Sequence, residues 1–298
     1  PISISQDLVD TVVVIDQPIG DPAGIVSTTL KVTRDPKGLK IAHDCIEVIK
    51  TAGLLKDGFS FQSGAGGTTL AATYFLSDYM KAKGIKGSFG MGGATEALVR
   101  MLEDGLFDAI LDVQSFDTYA VKSLLNNPRH IEMGASQYAN PHTSGCAVNL
   151  LDVVILGGTE VDTQFNVNTS TEADGRIQHG MGGHQDTAEG AKLSIIALPL
   201  LRGRIPIVVD EVISINTPGE IIDAIVTERG VAVNPNSPYY EAITKDKKLK
   251  IKDIESLKKE AEQLIGGKPK PPEITDKIIA AVEYRDGSVL DVIYQVKD

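Results

Sequence analysis

The chain has 298 residues, of which 42% are hydrophobic and 23% charged, as is typical of a soluble globular protein with a sizeable core. Its 29 basic and 40 acidic residues give a formal net charge of −11, which excludes the basic surface that nucleic-acid binding requires. Two cysteines fit a reducing compartment and exclude a disulfide framework or a four-thiolate metal site. Since no apolar run reaches the length of a membrane span and the first residues do not resemble a signal peptide, we predict a cytoplasmic protein.

The first half of the chain is predicted to alternate strands and helices. Strand-length apolar runs occur at TVVVID (11–16) and FDAILDV (107–113). Apolar residues at helical spacing predict three helices, and the alternation indicates βαβ units with a mainly parallel sheet. The predicted helices cover about 37–55, 68–83 and 94–103.

After about residue 150 the predicted strands follow one another through short, glycine-rich connections, which indicates a mixed sheet. Several runs are continuously apolar, as expected of strands covered on both faces. The polar segment 236–270 is predicted to hold an exposed amphipathic helix, and the runs around Asp286-Gly287 predict a terminal β-hairpin. Residues 1–298 are predicted to form one open α/β unit, with a boundary near 146–151 as the alternative. The strand predictions here are 151–156, 193–200, 206–213 and 223–227.

Two strand-to-helix connections are rich in glycine, FSFQSGAGGTT (59–69) and SFGMGGATEAL (88–98). Glycine lets the backbone approach a ligand closely, and a helix N-terminus offers free N–H groups. The first loop has neither the GxGxxG nor the Walker spacing. Two such loops at strand ends predict a shared crevice that binds an acyl group or a phosphate, and tight turns that need small residues are the structural alternative. The predicted contacts are Gln62, Gly64, Ala65, Gly66, Gly67, Gly92 and Gly93.

In LDVVILGGTEVDTQFNVN (151–168), a wholly apolar run places Glu160 and Asp162 just past a buried strand. Carboxylates in that position are partly desolvated, which raises their pKa and their reactivity. Both lie on one face of an extended chain, so an acid/base pair is one interpretation and a polar rim with an asparagine-rich turn is the other. We predict Glu160 as the catalytic residue, with Asn166 and Asn168 as substrate contacts.

The stretch HGMGGHQD (179–186) holds two histidines and an acid around a glycine turn. Zinc motifs space their ligands differently, as in HExxH, so no metal is predicted. Glycines followed by a helix predict an anion-binding loop whose N–H groups form an oxyanion hole. Gly182, Gly183 and His184 are the predicted contacts, and His179 is assigned to a strand end.

The densest basic spot near these loops is LRGRIP (201–206). Arg202 and Arg204 are predicted to bind a carboxylate or phosphate, with a solvated pair at a strand end as the alternative. Cys146 has His142 nearby but no evident base partner, so a catalytic thiol is not predicted.

Long stretches along the whole chain resemble a known family. They include DGFSFQSGAGGTTLA, LDVQSFDTYAV, NNPRHIEMGASQYANP, EVDTQFNVNT, GGHQDTAEGAKL, PLLRGRIPIVVDEV and YRDGSVLDVIYQVKD. Together they resemble the alpha subunit of citrate lyase, which is a citrate CoA-transferase. Members of that family are considerably longer, so the chain, which begins at Pro1, is expected to be the C-terminal part of a longer subunit.

The resemblance implies a fold of the CoA-transferase type and a transfer reaction. A thioester carrier passes from an acetyl group to citrate, which gives the citryl carrier and free acetate. The carrier is the CoA-derived prosthetic group of an acyl carrier protein, the gamma subunit, and free CoA thioesters can replace it. The beta subunit then cleaves the citryl thioester, and no metal is expected in the transfer step.

In the wider group of butyrate- and acetate-type CoA-transferases, a glutamate at a strand end attacks the acyl-CoA and becomes an enzyme thioester. The resemblance places Glu160 of LGGTEVD at that position and GMGGHQD as the facing loop. In the citrate lyase branch, citrate is instead described as attacking the acetyl thioester directly, and Glu160 then orients the substrate. Either route develops an oxyanion, for which one N–H donor contributes about 3 kcal/mol. Two other hypotheses are a transferase or thioester hydrolase for another carboxylate, and a non-catalytic scaffold half of the complex.

Overall fold

The computed structural model describes residues 5–20 and 30–297. Its helices are α1 (Pro36–Thr51), α2 (Gly67–Lys83), α3 (Glu96–Glu103), α4 (Thr118–Asn126), α5 (Ala135–Ala139), α6 (His184–Gly190), α7 (Tyr240–Thr244) and α8 (Ile254–Ile265). Its strands are β1 (Phe61–Ser63), β2 (Gly87–Ala94), β3 (Phe107–Ser115), β4 (His130–Glu132), β5 (Val153–Leu156), β6 (Glu160–Asp162), β7 (Val167–Asn168), β8 (Leu193–Ala197), β9 (Leu201–Arg202), β10 (Ile205–Pro206), β11 (Val208–Val209), β12 (Ala224–Thr227), β13 (Gly230–Val233), β14 (Ile274–Glu283) and β15 (Val289–Val296). None of the helices in these described ranges is long and apolar enough to cross a membrane.

Eight strands form one sheet in the order β13-β12-β8-β5-β1-β2-β3-β4. All neighbouring pairs are parallel except β12 and β13, so the predicted open, mainly parallel α/β sheet is confirmed. The first four strands extend to one side of the sheet and the later ones to the other, so the strand order reverses between β1 and β5. In sheets of this kind, ligands bind outside the carboxyl ends of the strands at such a switch point.

Both faces of the sheet are covered. On β5, Val153 and Ile155 pack into one apolar cluster, while Val154 and Leu156 pack into another. Helices α1, α2 and α3 contribute to the first cluster, and α6 and α8 to the second. Strands buried on both faces have no polar side to preserve, which explains their continuously apolar sequences. Each cluster contains residues from both sides of 146–151.

The first two predicted helices, 37–55 and 68–83, are confirmed, and local signals explain their ends. The Asp35 side chain accepts a hydrogen bond from the backbone N–H of Lys37 at the start of α1. Helix α2 ends at Gly84, whose φ of 66° lies in the left-handed region that glycine adopts without strain. These caps hold the two helices that pack behind β1.

The predicted strand at 11–16 is wrong. No described strand pairs with these residues, and Val12, Val13 and Val14 are 78%, 75% and 87% exposed. An apolar run of strand length becomes a strand only where a neighbouring strand pairs with its backbone N–H and C=O groups.

The predicted connection between β2 and α3 is also different in the structure. Helix α3 begins at Glu96, and the glycines expected to form a loop lie inside β2. Gly90 pairs with Ile110 and Gly92 with Asp112 of β3, and this pairing extends the strand through the glycines.

Within the predicted strand 206–213, Pro206 ends β10 and Val208–Val209 forms β11, which runs parallel to β6; residues 210–213 lie outside any strand. Asp210 forms ion pairs with Lys258 and Lys268. These ion pairs hold the Asp210 side chain just past the end of β11.

The amphipathic helix predicted within 236–270 is confirmed in type but wrong in exposure. Helix α8 begins only at Ile254, because the Asp253 side chain caps it by accepting from the Ser256 N–H at 2.8 Å. Its apolar face, with Leu257 and Ala261, is buried in the second cluster.

The predicted terminal hairpin is confirmed by the antiparallel pairing of β14 and β15. Its turn lies against α6: Arg285 Nε is 3.3 Å from Asp186 Oδ1, and Tyr284 Oη donates to Glu189 Oε2 at 2.9 Å. The hairpin therefore braces the helix that follows the predicted anion loop.

Candidate active site

The switch point between β1 and β5 brings two predicted segments to one edge of the sheet. After β5, the chain passes through residues 157–158 into β6, which begins at Glu160. After β1 it enters the loop 64–67. The backbone N–H of Gly64 donates to Ile155 O at 2.8 Å and joins the two strand ends. The first glycine loop and Glu160 therefore start from adjacent strands.

Glu160 is a buried carboxylate with few hydrogen bonds. It is 4% exposed, and its Oε2 accepts from Asn168 Nδ2 at 3.0 Å and from the Ile213 N–H at 3.3 Å. Burial raises the pKa of Glu160 above its usual value, and the two hydrogen bonds offset only part of this effect. The carboxylate is thus more basic than an exposed one, as suits a general base or a nucleophile.

The turn after Glu160 uses the second predicted acid. Asp162 Oδ1 accepts from the N–H groups of Gln164 at 2.9 Å and Asn166 at 3.0 Å. Asn166 Nδ2 donates to Asp162 Oδ2 at 3.0 Å, and Asn166 Oδ1 accepts from the Gly219 N–H at 2.9 Å. Asp162 and Asn166 therefore build the β6–β7 turn, and the acid/base pairing of Asp162 with Glu160 is not formed.

His184, the first residue of α6, joins that helix to the segment before Glu160. Its Nε2 lies 2.8 Å from Gly157 O and must donate, while its Nδ1 accepts from Thr217 Oγ1 at 2.7 Å. Burial lowers the pKa of His184 from 6.5 to about 4, so the ring is neutral at physiological pH. With both ring nitrogens engaged, His184 holds the loop in place and has no free nitrogen for a ligand.

Tyr138, which the sequence did not single out, connects three of the predicted segments. Gln62 Nε2 donates to Tyr138 Oη at 2.8 Å, and a Cβ on Gly183 would lie 2.7 Å from Tyr138 Cε1. The Gln62 amide packs on Gly92, where a Cβ would lie 2.6 Å from Gln62 Cδ. Burial raises the pKa of Tyr138 to about 12, so its hydroxyl stays protonated. Glycine is needed at both positions because a side chain would displace this buried pair.

Two other predicted glycine contacts serve internal packing. A Cβ on Gly93 would lie 1.7 Å from Phe116 Cε2, and one on Gly67 would lie 2.8 Å from Lys31 O. These backbone positions are occupied by the protein itself and are not open to a ligand.

The rest of the first loop is partly open. Thr69 Oγ1 donates to Gly64 O at 2.5 Å and to Gly66 O at 2.8 Å, which shapes the turn into α2. Gly66 is exposed and Ala65 is half-buried. Within this loop, residues 65–66 are therefore the part most accessible to a bound group.

The two predicted arginines have different surroundings. Both are exposed on the short hairpin of β9 and β10, whose turn contains Gly203 with a φ of 63°. Arg202 Nη2 donates to Gly158 O at 3.2 Å, next to the strand that carries Glu160. Arg204 makes no hydrogen bond to the described residues, so of these two arginines Arg202 is the one that contacts the segment before Glu160.

Two clefts border these residues. A cleft of about 530 Å³ is lined by Gly182, Gly183, Tyr138 and Asp186 among others. A larger one of about 670 Å³ includes Asn166 but not Glu160. Glu160 does not line the smaller cleft either, but that cleft touches the predicted anion loop.

Within 5–20 and 30–297, no group of three or more His, Cys, Asp or Glu side chains could hold a metal ion. His179 is exposed, lies outside any strand, and has its Nδ1 2.9 Å from Gly180 O. The stretch HGMGGHQD thus separates into an exposed histidine and a buried one.

Sequence reasoning missed Tyr138, Thr217 and Ile213, which contact Gln62, His184 and Glu160 respectively. Tyr138 lies in the family-like stretch NNPRHIEMGASQYANP, which was the one signal available. Ile213 acts through its backbone N–H, so its side chain carries no signal.

Comparison with known proteins agrees with the resemblance. The family model "Citrate lyase, alpha subunit (CitF)" matches residues 1–296. The citrate lyase alpha chain of Escherichia coli K12 is 47% identical over 298 residues, which cover 100% of this chain and 58% of the relative. That of Haemophilus influenzae is 50% identical over 299 residues and is covered to 59%. The chain therefore spans somewhat more than half the length of the curated relatives it matches.

Solved structures show the same likeness. A structure named as the alpha subunit of citrate lyase from Streptococcus mutans, in complex with citrate, superposes with a TM-score of 0.91 at 46% identity. The match covers 95% of this chain and 56% of that one. RipA from Yersinia pestis, with a TM-score of 0.53 at 18% identity over 78% of this chain and 53% of that one, shares the fold alone.

Proposed function

The chain belongs to the citrate lyase alpha subunit family, and on that premise we propose that it carries a citrate CoA-transferase site. The reaction moves a thioester carrier from an acetyl group to citrate, which yields the citryl carrier and acetate. The observation that carries the proposal is Glu160, a buried carboxylate with one hydrogen-bonded oxygen at the switch point of the sheet.

Two routes are consistent with that carboxylate. In the first, Glu160 attacks the acetyl carbonyl and releases the thiolate, which then attacks the glutamyl carbonyl and expels acetate. The resulting enzyme thioester passes its carrier to citrate. In the second, a citrate carboxylate attacks the acetyl carbonyl, and the released thiolate attacks the citryl carbonyl and expels acetate. Glu160 then orients the reacting groups.

Both routes place negative charge on a carbonyl oxygen. We assign the N–H donors for that charge to the backbone of residues 65–66, which follows β1, and to that of residues 182–183, which precedes α6. Since one such donor contributes about 3 kcal/mol, a dry site with two donors suffices for a large rate effect.

The substrate is anionic and the chain has a net charge of −11, so binding requires a local cation. Arg202 is our candidate because its guanidinium contacts Gly158, two residues before Glu160. The Streptococcus mutans relative was solved with citrate, which supports citrate as the acceptor here.

The carrier is CoA or the CoA-derived prosthetic group of an acyl carrier protein. The 530 Å³ cleft lined by Gly182 and Gly183 has the size of an ordinary ligand site. We place the beta subunit and the acyl carrier protein among its partners. A cytoplasmic location fits the two free, buried cysteines, Cys45 and Cys146.

The test is a transfer assay on the full-length protein with acetyl-CoA and a panel of small carboxylates. We expect acetate release that depends on citrate and forms citryl-CoA, detected by mass spectrometry. Acetate release over many turnovers without an acceptor would indicate a hydrolase, because the first route releases only one equivalent per site before citrate binds, and a better acceptor than citrate would indicate another transferase.

Two controls separate the remaining alternatives. Glu160→Ala is expected to abolish the exchange, whereas an unchanged rate would favour a scaffold role. Borohydride reduction after incubation with acetyl-CoA converts an enzyme thioester at Glu160 to an alcohol. A mass shift at Glu160 supports the first route, and its absence during turnover supports the second.

A further inference from the structure

We propose that Asn168 is a positioning residue, which holds one carboxylate oxygen of Glu160 so that the other faces the reacting thioester. This inference deepens the proposed function and rests on it. It differs from the sequence prediction that Asn168 contacts the substrate.

The Asn168 amide has no capacity left for a substrate. The residue is 0% exposed, and its Nδ2 donates to Glu160 Oε2 at 3.0 Å and to Thr171 Oγ1 at 2.8 Å. Its Oδ1 accepts from the N–H groups of Ser170 and Thr171, both at 3.1 Å. A primary amide offers two donors and two acceptor sites, and all four are used inside the protein.

The β6–β7 hairpin brings Asn168 to Glu160. In its register, Glu160 lies opposite Asn168, and Val161 opposite Val167. A slip of one residue would turn Asn168 to the other face of the ribbon.

The turn between the two strands is specified in detail. Asp162 holds the N–H groups of the turn, and Phe165 has a φ of 68°. A bulky residue adopts this backbone conformation only where its surroundings enforce it. The strain is thus located in the element that sets the Asn168–Glu160 register.

The Glu160 carboxylate is held asymmetrically. Both of its hydrogen bonds, from Asn168 and from the Ile213 N–H, reach Oε2. Oε1 accepts no hydrogen bond from residues 5–20 or 30–297. One oxygen is therefore anchored in the protein, and the other is left for chemistry.

The charged groups on the surrounding elements are engaged elsewhere. Asp162 on the same strand binds the turn, and His184 on α6 binds Gly157 and Thr217. Arg202 on β9 donates to Gly158, and Asp291 of the terminal hairpin accepts from the Ile215 N–H at 2.7 Å. The Asn168 amide is thus the side chain that donates to Glu160 and fixes the orientation of its carboxylate.

The sharpest variant is Asn168→Asp in the full-length protein. It keeps the side-chain volume and the acceptor for Ser170 and Thr171, but it replaces the donor to Glu160 with a second carboxylate. Two adjacent carboxylates resist ionising together, so the ionisation of Glu160 moves to higher pH. We expect kcat/KM at neutral pH to fall about 10- to 100-fold, the value of a hydrogen bond to a charged group. The acid limb of the pH profile should also move upward.

Asn166→Asp is the matched control. It makes the same chemical change two residues away, against Asp162 instead of Glu160. We expect it to weaken the fold and to shift the acid limb less than Asn168→Asp does, because the added carboxylate faces Asp162 and not Glu160. Asn168→Ser, which shortens the side chain so that it no longer reaches Glu160 and adds no charge, should move the acid limb upward by a smaller amount.

A second measurement does not depend on activity. Infrared titration of protein labelled with ¹³C-carboxyl glutamate, with Glu160→Gln as the difference reference, reports the ionisation of Glu160 directly. An upward shift in Asn168→Asp supports the inference even if no transferase activity is found, and the proposed function alone would then fail. An unshifted titration, or a loss of activity that is equal at every pH, would overturn the inference.

Discussion

Glu160 and Asp112 are two buried carboxylates on opposite sides of the switch point, and they differ in how many hydrogen bonds they accept. They are 4% and 2% exposed, so their desolvation is similar. Glu160 accepts two hydrogen bonds, both on one oxygen. Asp112 accepts four, spread over both oxygens. Its partners are Ala94 N at 3.2 Å, Gln114 N at 2.9 Å, Ser115 Oγ at 2.5 Å and His130 Nε2 at 3.2 Å.

The difference in hydrogen bonding reverses the effect of burial. Burial alone would raise the pKa of Asp112, but the bonds from His130, Ser115 and Ala94 outweigh it and hold the pKa below its usual value. At Glu160 two bonds are too few, and the pKa is raised. A fully bonded carboxylate stabilises the fold, whereas a partly bonded one keeps its basicity for chemistry.

Although Ser123, His130 and Asp112 form a serine–histidine–aspartate chain, the Asp112 and His130 side chains are 1% and 0% exposed, so the chain is structural.

The largest expected effect contrasts Glu160→Gln with Asp112→Asn. Glu160→Gln should lower kcat/KM by about 10²- to 10⁴-fold, as loss of a catalytic acid/base or nucleophile does. A raised folded-state pKa favours the fold below the unfolded pKa and loses that advantage as pH rises through the folded pKa. At neutral pH, Glu160→Gln should therefore match or exceed the unsubstituted protein in its free energy of unfolding.

Asp112→Asn should show the opposite pattern. It breaks a fully bonded network, so the free energy of unfolding should fall by about 3 kcal/mol. Denaturant titration and the transfer assay together measure both effects. The comparison would not hold if Glu160→Gln destabilised the protein as much as Asp112→Asn does.

The second prediction concerns His184, the neutral histidine that binds Gly157. Burial depresses the pKa of His184 from 6.5 to about 4, so its contribution to stability is present above the unfolded pKa. This contribution is lost as pH falls from about 6.5 to about 4, because over that range the imidazole binds a proton in the unfolded state but stays neutral in the folded state. The loss should reach about 3 kcal/mol.

His184→Gln, which cannot titrate, provides the control for this acid sensitivity. Its free energy of unfolding should be lower than that of the unsubstituted protein at pH 7. Between pH 6.5 and 4 it should decline less steeply in urea titrations. Equal slopes for the two proteins would show that His184 does not stay neutral in the folded state.

The smallest predicted effect tests whether the surroundings of Glu160 are open to an anion, unlike those of Asp112. Arg202→Ala should raise the KM for citrate about tenfold, as loss of one charge-assisted hydrogen bond does, with little change in kcat. Arg204→Ala removes the same charge from the same hairpin without touching Gly158. Steady-state kinetics of both variants at low and high salt would distinguish a direct contact between Arg202 and citrate from a general effect of the positive charge on the hairpin. Equal KM values in the two variants would remove Arg202 from the citrate site.

Much of this site could be predicted from local sequence. A wholly apolar run followed by Gly157-Gly158 indicates a buried strand that ends in a tight connection, and it placed Glu160 correctly at a strand end. The same reasoning assigned Asn168 to the substrate, because a sequence does not show that an amide is saturated by its neighbours. It also assigned Gly93 to a ligand loop, although Phe116 occupies the space beside it.

Some expectations failed for a shared reason. The run 11–16 has the composition of a strand, but a strand forms only when a neighbouring strand pairs with it. The glycines before α3 look like a loop until β3 pairs with them. In each case the deciding interaction comes from residues far away in the sequence.

The sequence by itself determined the α/β class, the parallel sheet buried on both faces, the main helices and the terminal hairpin. These follow from periodicity, caps and turn residues, which act over a few neighbouring positions. Only the tertiary structure decided which buried carboxylate is fully bonded and which keeps an oxygen free. Hydrogen bonds such as those from Ile213 to Glu160 and from His130 to Asp112 join residues that no local pattern relates. The pKa of a buried group depends on such partners, so its chemistry is set by the fold.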